Sequence, residues 1–269
     1  MTWVIGAASL LGYGVMLSDV RVTFPDGSTA DLLRKAFPVG PYLSAGFAGS
    51  VQIGYRLLNA LGEHLYVPPS YPDADQVAWQ PEWVAEQFAP IAKRIFATSS
   101  PVEQRLGSRL LMVGVSPNES MGLPEIPRVY LIRFASPDFT PRYMRRGLNI
   151  AHIGSGANDR RYIQAFKSHF RLSASSLRAE NSRGDGWAQM LGGTVDLIAG
   201  EHPRASVSPH VHVIICRLGS FSEGNNNHRT YSLDGSPPIA FEMPQIASTY
   251  DEFLRMCRDR EIGAEGALG

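Results

Sequence analysis

A threonine stands at position 2, directly behind Met1. If Met1 is removed, Thr2 carries a hydroxyl and a free α-amine on one residue. An α-amine titrates at about 7.7–8.0, so near neutral pH it can be uncharged and accept the hydroxyl proton. This is one of the established ways to activate a hydroxyl for attack on an amide carbonyl. Such a centre needs support from its neighbours. A lysine lowers the amine's pKa, a carboxylate holds that lysine, and a backbone N–H stabilises the oxyanion. If Met1 stays, the nitrogen of Thr2 is an amide and cannot serve as a base.

The sequence contains a candidate for each support. Asp19 ends the apolar run GVMLSD, Lys35 stands at the opening of the third strand candidate in RKAFPVG (34–40), and Gly49 ends AGFAG. At Gly49 strand is expected to pass into helix, so its N–H can point toward a helix N-terminus. Each residue also has an ordinary reading. A strand-end aspartate is commonly a turn or surface group, a lysine a solvated cation, and a small-residue turn a packing device. Taken together and in this order, they favour the chemical reading.

These residues must be positioned by a β-rich first fifty residues. TWVIGAAS (2–9) and GVMLSDV (14–20) are apolar runs around the glycines of LGYG, which reads as a hairpin. Pro25-Asp26-Gly27 is a turn signal. Residues 34–40 and 42–49 are two more strand candidates. The pattern then becomes helical: Ile53, Leu57, Leu58 and Leu61 share one face, as do Val84, Phe88, Ile91 and Ile95. Pro81 suits a first helical turn, and Pro90 is placed to kink this second helix. The Pro/Tyr-rich stretch 67–81 reads as an exposed insertion. Strands are expected at 110–116, 128–134, 141–144, 148–154 and 211–218. Helices are expected at 155–170, 186–200 and 247–261, the last capped by Ser248 or Thr249. Residues 219–238 read as loop. Helices that arrive in pairs between groups of strands give an α+β class, with two sheets covered by helix layers. Residues 1–221 are expected to form one domain. Residues 222–269 would be an extension packing on that domain or on a neighbouring subunit.

Composition narrows the function classes. The chain has 269 residues, 44% hydrophobic, with 25 basic and 25 acidic side chains and formal net charge zero. A neutral balance with scattered arginines lacks the basic footprint of a nucleic-acid binder. Two cysteines, Cys216 and Cys257, are too few for a disulfide framework or a cysteine-rich zinc site. No apolar stretch approaches the roughly 20 residues that span a bilayer, and the N-terminus lacks the basic region of a signal peptide, its apolar residues running with Gly and Ser into SDVR. The expectation is a soluble cytoplasmic protein. His210 and His212 alternate on a strand, but no third ligand lies at metal-binding spacing. Trp79 and Trp83 read as packing or subunit-contact residues, and Cys216 as inert core.

The stretches TWVIG (2–6), GVMLSDVR (14–21), RKAF (34–37), AGFAGS (45–50) and HIGSGAN (152–158) together resemble the proteasome β-type family of N-terminal nucleophile hydrolases, most closely its bacterial proteasome-like branches. SVSPHVHVIICRLGSF (206–221) adds to the likeness. The resemblance covers residues 2–65 well and 148–221 loosely. It implies a four-layer αββα sandwich and a threonine peptidase assembled as a homo-oligomeric ring or spiral. It also implies roles. Thr2 is the nucleophile and base, Asp19 and Lys35 are the charge pair beside it, and Gly49 is the oxyanion donor. Arg21 anchors the strand end. Ser155 contacts the Thr2 amine, Asp196 orients Ser155, and Ser208 is a further partner, with Ser206 as its competitor. No cofactor or metal is implied. An ATP-dependent unfoldase occurs as a partner in the family, but no feature of the sequence indicates one. Two other readings stay open: an amidohydrolase acting on a small amide, and a non-catalytic ring subunit.

Overall fold

The computed structural model describes residues 2–64, 80–120, 126–144, 149–164, 166–168, 184–201, 207–225 and 242–269. β1 (Trp3–Ala8) and β2 (Gly14–Asp19) form the expected hairpin, with Val4 opposite Ser18 and Ala8 opposite Gly14. β1 is buried along its whole length, as its unbroken apolar run predicts. Period-two alternation divides its side chains between two cores. Trp3, Ile5 and Ala7 face one cluster, while Val4 and Ala8 face another.

β3 (Arg21–Thr23) and β4 (Thr29–Asp31) flank the Pro-Asp-Gly turn as a short separate hairpin. β5 (Ala36–Gly40) and β6 (Leu43–Gly49) follow, and β6 leads directly into α1 (Val51–His64). α2 (Pro81–Ala97) begins at Pro81 as expected and runs continuously through Pro90. A short α3 (Pro101–Leu106) was not anticipated, although Ser100 caps it by accepting the Glu103 N–H and Pro101 opens it.

β7 (Ser108–Ser120) and β8 (Pro127–Ala135) are longer than their apolar centres indicate, and β9 (Arg142–Tyr143) is shorter. β10 (Asn149–Gly154) leads through a 3₁₀ turn at Gly156–Asn158 into helix at 160–164 and 166–168. α4 (Asp185–Glu201), β11 (Val211–Arg217), β12 (Ser220–Asn225) and α5 (Tyr250–Asp259) complete the order. Thr249 caps α5. β12 corrects the reading of 219–238 as loop: its first residues pair antiparallel with β11, Arg217 opposite Ser220 and His212 opposite Asn225. A strand of this kind escapes a periodicity search because Phe221 is its only apolar side chain, too few to set an alternation; residues 226–238 lie outside the described residues.

All pairings within the two large sheets are antiparallel. The orders are β10-β1-β2-β11-β12 and β5-β6-β7-β8-β9. Three apolar clusters define four layers. One lies between the second sheet and α1, α2 and α5, with Phe47, Phe88, Phe134 and Phe253 at its centre. A second lies between the sheets and includes Val4, Met16, Leu111, Val113 and Ile214. The third packs the first sheet on α4 and the helical residues 160–164 and 166–168 through Trp3, Tyr162, Phe166 and Leu191. Full burial of an aliphatic or phenyl side chain contributes about 1.5–3 kcal/mol relative to exposure, so each layer contact is held by many such terms. The expected αββα sandwich is thus observed.

The last residues return to the start of α1. The N–H of Val51 donates to Ala267 O at 3.1 Å, and Gly266 N–H donates to Glu103 Oε1 at 3.1 Å. Phe253 and Cys257 of α5 lie in the same core as α1. Trp83 is 42% exposed, and Trp79 lies outside the described residues. Among the described residues no helix is long and apolar enough to cross a membrane.

Candidate active site

Thr2 heads β1 and is buried. The register that places Val4 opposite Ser18 brings the end of β2 beside the start of β1. Asp19 therefore reaches the residue that follows Thr2: its Oδ2 accepts the Trp3 N–H at 2.7 Å. The other oxygen, Oδ1, accepts the Arg21 N–H at 3.1 Å and a proton of Lys35 Nζ at 2.5 Å. Lys35 Nζ also donates to the Arg21 carbonyl at 2.5 Å. Lys35 is held from behind by β6, whose Phe47 N–H donates to the Lys35 carbonyl at 3.1 Å. Both charged side chains have 0% exposure.

Burial dominates the electrostatics of the pair. It pushes the Lys35 ammonium below its ordinary pKa, against the opposing charge of Asp19. It pushes the Asp19 carboxyl upward, against Lys35 and the two backbone N–H donors. A buried ion pair of this kind is weak evidence for stability, because desolvation costs several kcal/mol per ion. Its presence at the head of β1 therefore calls for another explanation.

Ser155 holds Thr2 from the opposite side. Its N–H donates to the Thr2 carbonyl at 2.6 Å, and its hydroxyl donates to the same oxygen at 3.1 Å. The Gly156 N–H adds a longer contact at 3.4 Å. Gly154 makes this approach possible. It adopts φ +89°, and a Cβ there would lie 2.0 Å from Thr2 O. While the backbone of Thr2 is tightly held, its Oγ1 is buried with no hydrogen-bond partner among the described residues.

A second polar cluster adjoins the first through Arg21. Its guanidinium forms a bidentate pair with Asp31 across the β3–β4 hairpin, Nε to Oδ1 at 2.7 Å and Nη2 to Oδ2 at 3.0 Å. Nη1 donates to Val207 O at 3.2 Å. Ser208 Oγ donates to Asp31 Oδ2 at 2.7 Å, and His210 Nε2 lies 4.0 Å from the same oxygen. Burial works to raise the Asp31 carboxyl, but the Arg21 and Ser208 hydrogen bonds prevail and hold it below its ordinary value. Arg21 and Asp31 sit opposite each other at equal distances from the turn. That symmetry of opposite charges about Pro25-Asp26-Gly27 was a readable cross-strand signal for a residue, Asp31, that the sequence reading passed over.

The structure gathers Thr2, Asp19, Lys35 and Ser155, with the described Ser155 bonds falling on the Thr2 carbonyl where contact with its amine was expected, and it departs from expectation at three further residues. Ser208 serves Asp31, and its hydroxyl makes no described contact with Ser155. Asp196 lies half-buried on α4 and makes no hydrogen bond or ion pair among the described residues. With no donor or cation to offset it, burial raises the Asp196 carboxyl. The Gly49 N–H, assigned to the oxyanion, instead donates to Gly269 O at 2.9 Å, and the Gly269 N–H returns to Gly49 O at 2.8 Å. Gly49 has φ +107°, and a Cβ would stand 2.4 Å from Gly107 O. Its glycine is thus required by a close backbone crossing. Ser206 lies outside the described residues. Cys216 is buried with Sγ directed at Tyr42 O, and burial pushes its thiol up.

The layer order and strand topology define an αββα sandwich. Among solved structures, the chain is similar to Anbu from Hyphomicrobium sp. strain MC1, with a TM-score of 0.54 at 13% sequence identity. The match covers 83% of this chain and 87% of that one. At this identity the likeness is one of fold. No protein-family model matches the chain, and no curated protein matches it.

Proposed function

We propose that the protein is a threonine-type peptidase of the proteasome-like kind, in which Thr2 becomes the first residue and attacks a peptide carbonyl. The observation that carries this reading is the fully buried Lys35–Asp19 pair set against the backbone of Thr2–Trp3. The ammonium makes the α-amine easier to deprotonate, and Asp19 fixes the ammonium. The amine takes the hydroxyl proton as Oγ1 attacks, then returns it to the leaving amine. Water activated by the same amine hydrolyses the acyl-enzyme. Ser155, already bonded to the Thr2 carbonyl, keeps the residue in register. Assembly into a homo-oligomeric ring or spiral around these sites belongs to the same proposal, with peptide or protein as substrate. One observation favours a second reading, a non-catalytic ring subunit: the Gly49 N–H is already bonded to Gly269 O.

One experiment separates the two. Intact mass is measured for the purified protein, which is then incubated with a peptide epoxyketone. Loss of Met1 and a single adduct on Thr2, abolished in Thr2→Ala, is the expected result. A mature chain that keeps Met1, or labelling unchanged in Thr2→Ala, defeats the peptidase reading.

A further inference from the structure

A cavity of about 540 Å³ opens where the β8–β9 edge of one sheet meets β10 of the other, with Ala157, Asn158, Ile163 and Lys167 at one end. Arg109, Arg133, Arg142 and Lys167 contribute to its wall, together with His152 and Asn158. Four formal positive charges thus surround one concavity, and no carboxylate is among its described lining residues. Protein surfaces ordinarily intersperse the two signs, and the Arg161–Asp159 pair just beyond this wall follows that habit. Within the wall, none of the four cations makes an ion pair with a described residue. Arg133 Nε is buried and has no hydrogen-bond partner among the described residues.

The histidine carries a second, independent sign of a binding site. Both ring nitrogens of His152 are buried and unpartnered among the described residues, while its ring stacks on Trp3 at 5.9 Å and 16°. Buried polar side-chain atoms are almost always hydrogen-bonded, so three orphans in one wall call for a ligand that accepts hydrogen bonds. Burial, then the charges of Lys167 and Arg133, hold the imidazole well below its ordinary pKa. The cations are thus close enough for their field to act on the ring.

We propose that this cavity binds a small multivalent anion, a molecule bearing two or more phosphate or carboxylate groups. Volumes of about 300–1,000 Å³ are those of small-molecule sites. Planar guanidinium groups such as Arg133 and Arg142 match phosphate and carboxylate oxygens in bidentate fashion. A bound anion also cancels the repulsion among the four cations and stabilises protonated His152, which then donates from both nitrogens. The cavity adjoins the Thr2 centre, since His152 stacks on Trp3, but its occupancy does not depend on peptidase activity.

The test is isothermal titration of the full chain with inorganic pyrophosphate, with citrate, and with acetate as the monovalent control, at about 0.1 M salt where exposed charges are partly screened. Saturable binding of pyrophosphate or citrate at one site per chain is expected, with none for acetate. Whichever of the two binds more tightly identifies phosphate or carboxylate as the preferred group. Arg142→Gln/Lys167→Gln changes only exposed side chains and should weaken binding at least tenfold, with Arg133→Gln as the second variant. In parallel, the His152 imidazole resonance should titrate at higher pH when the anion is present. Failure of both multivalent anions to bind, or affinity unchanged in both variants, overturns the proposal.

Discussion

Replacing Lys35 with methionine tests the centre of the argument. The variant keeps the length and apolar stem of the side chain and removes only the ammonium. Asp19 then remains in a site with 0% exposure, its carboxylate facing two backbone N–H groups and no cation. Removing one partner of a buried pair costs about 3–5 kcal/mol, a large share of the 5–15 kcal/mol that typically holds a folded protein. The loss should also depend on pH in a definite direction. Burial already raises the Asp19 carboxyl, and without Lys35 the largest opposing influence is gone. A carboxyl whose folded pKa lies above its unfolded value stabilises the fold most below the unfolded value, and that contribution fades as pH rises through the folded pKa. The gap between wild type and Lys35→Met should therefore be widest at pH 7 and narrow towards pH 5. Urea unfolding of both proteins at the two pH values measures it, and common effects of other groups cancel in the difference. A variant within about 1 kcal/mol of wild type at pH 7, or a gap that widens on acidification, would refute the buried-pair account.

Two further outcomes follow from the same neighbourhood. His152, held down to about 3 by burial and by Lys167 and Arg133, takes up a proton more readily unfolded than folded. Its contribution is complete above about 6.5 and is lost as pH falls below that value. Between pH 7 and pH 5 this should cost wild type about 1–2 kcal/mol. His152→Phe should show a shallower acid slope in urea unfolding, and identical slopes would contradict the assignment. Gly154→Ala places a Cβ 2.0 Å from Thr2 O at φ +89°. Left-handed strain alone costs about 1–2 kcal/mol, and the Ser155–Thr2 contact must open as well. Thermal unfolding should therefore occur several degrees lower, and labelling of Thr2 should be lost. A variant that keeps both properties would show that the close approach is dispensable.

The fold was largely legible because apolar periodicity marks elements that bury a face. β1, β2, β6 and α1 were placed within a residue or two by their alternation or helical spacing. The site was legible only in part. Thr2, Asp19 and Lys35 could be found because each sits at the end of a readable element, so that correct strands bring them together. Gly49 also ends such an element, yet its amide is taken by Gly269, a residue 220 positions away whose return to α1 leaves no local signature. Ser208 and Asp196 failed for a similar reason. Their partners depend on how β11 and α4 pack rather than on their own segments. Asp31 shows the converse, a charge pair written symmetrically about a turn that was noticed only as a turn.

The polar contacts form one chain that leads to Thr2. Asp31 grips the Arg21 guanidinium, the Arg21 carbonyl accepts from Lys35, Lys35 pairs with Asp19, and Asp19 receives the Trp3 N–H. From the other side, Ser155 fixes the Thr2 carbonyl. A threonine kept for structure alone would be expected to spend its hydroxyl as well, since buried hydroxyls are nearly always bonded. Here the backbone is clamped on both sides, while Oγ1, like the Ser18 and Ser108 hydroxyls, has no partner among the described residues. Rigid positioning with an unspent hydroxyl is what an attacking group requires. Under the proposed peptidase reading, it also gives the buried ion pair a purpose that its contribution to stability does not supply.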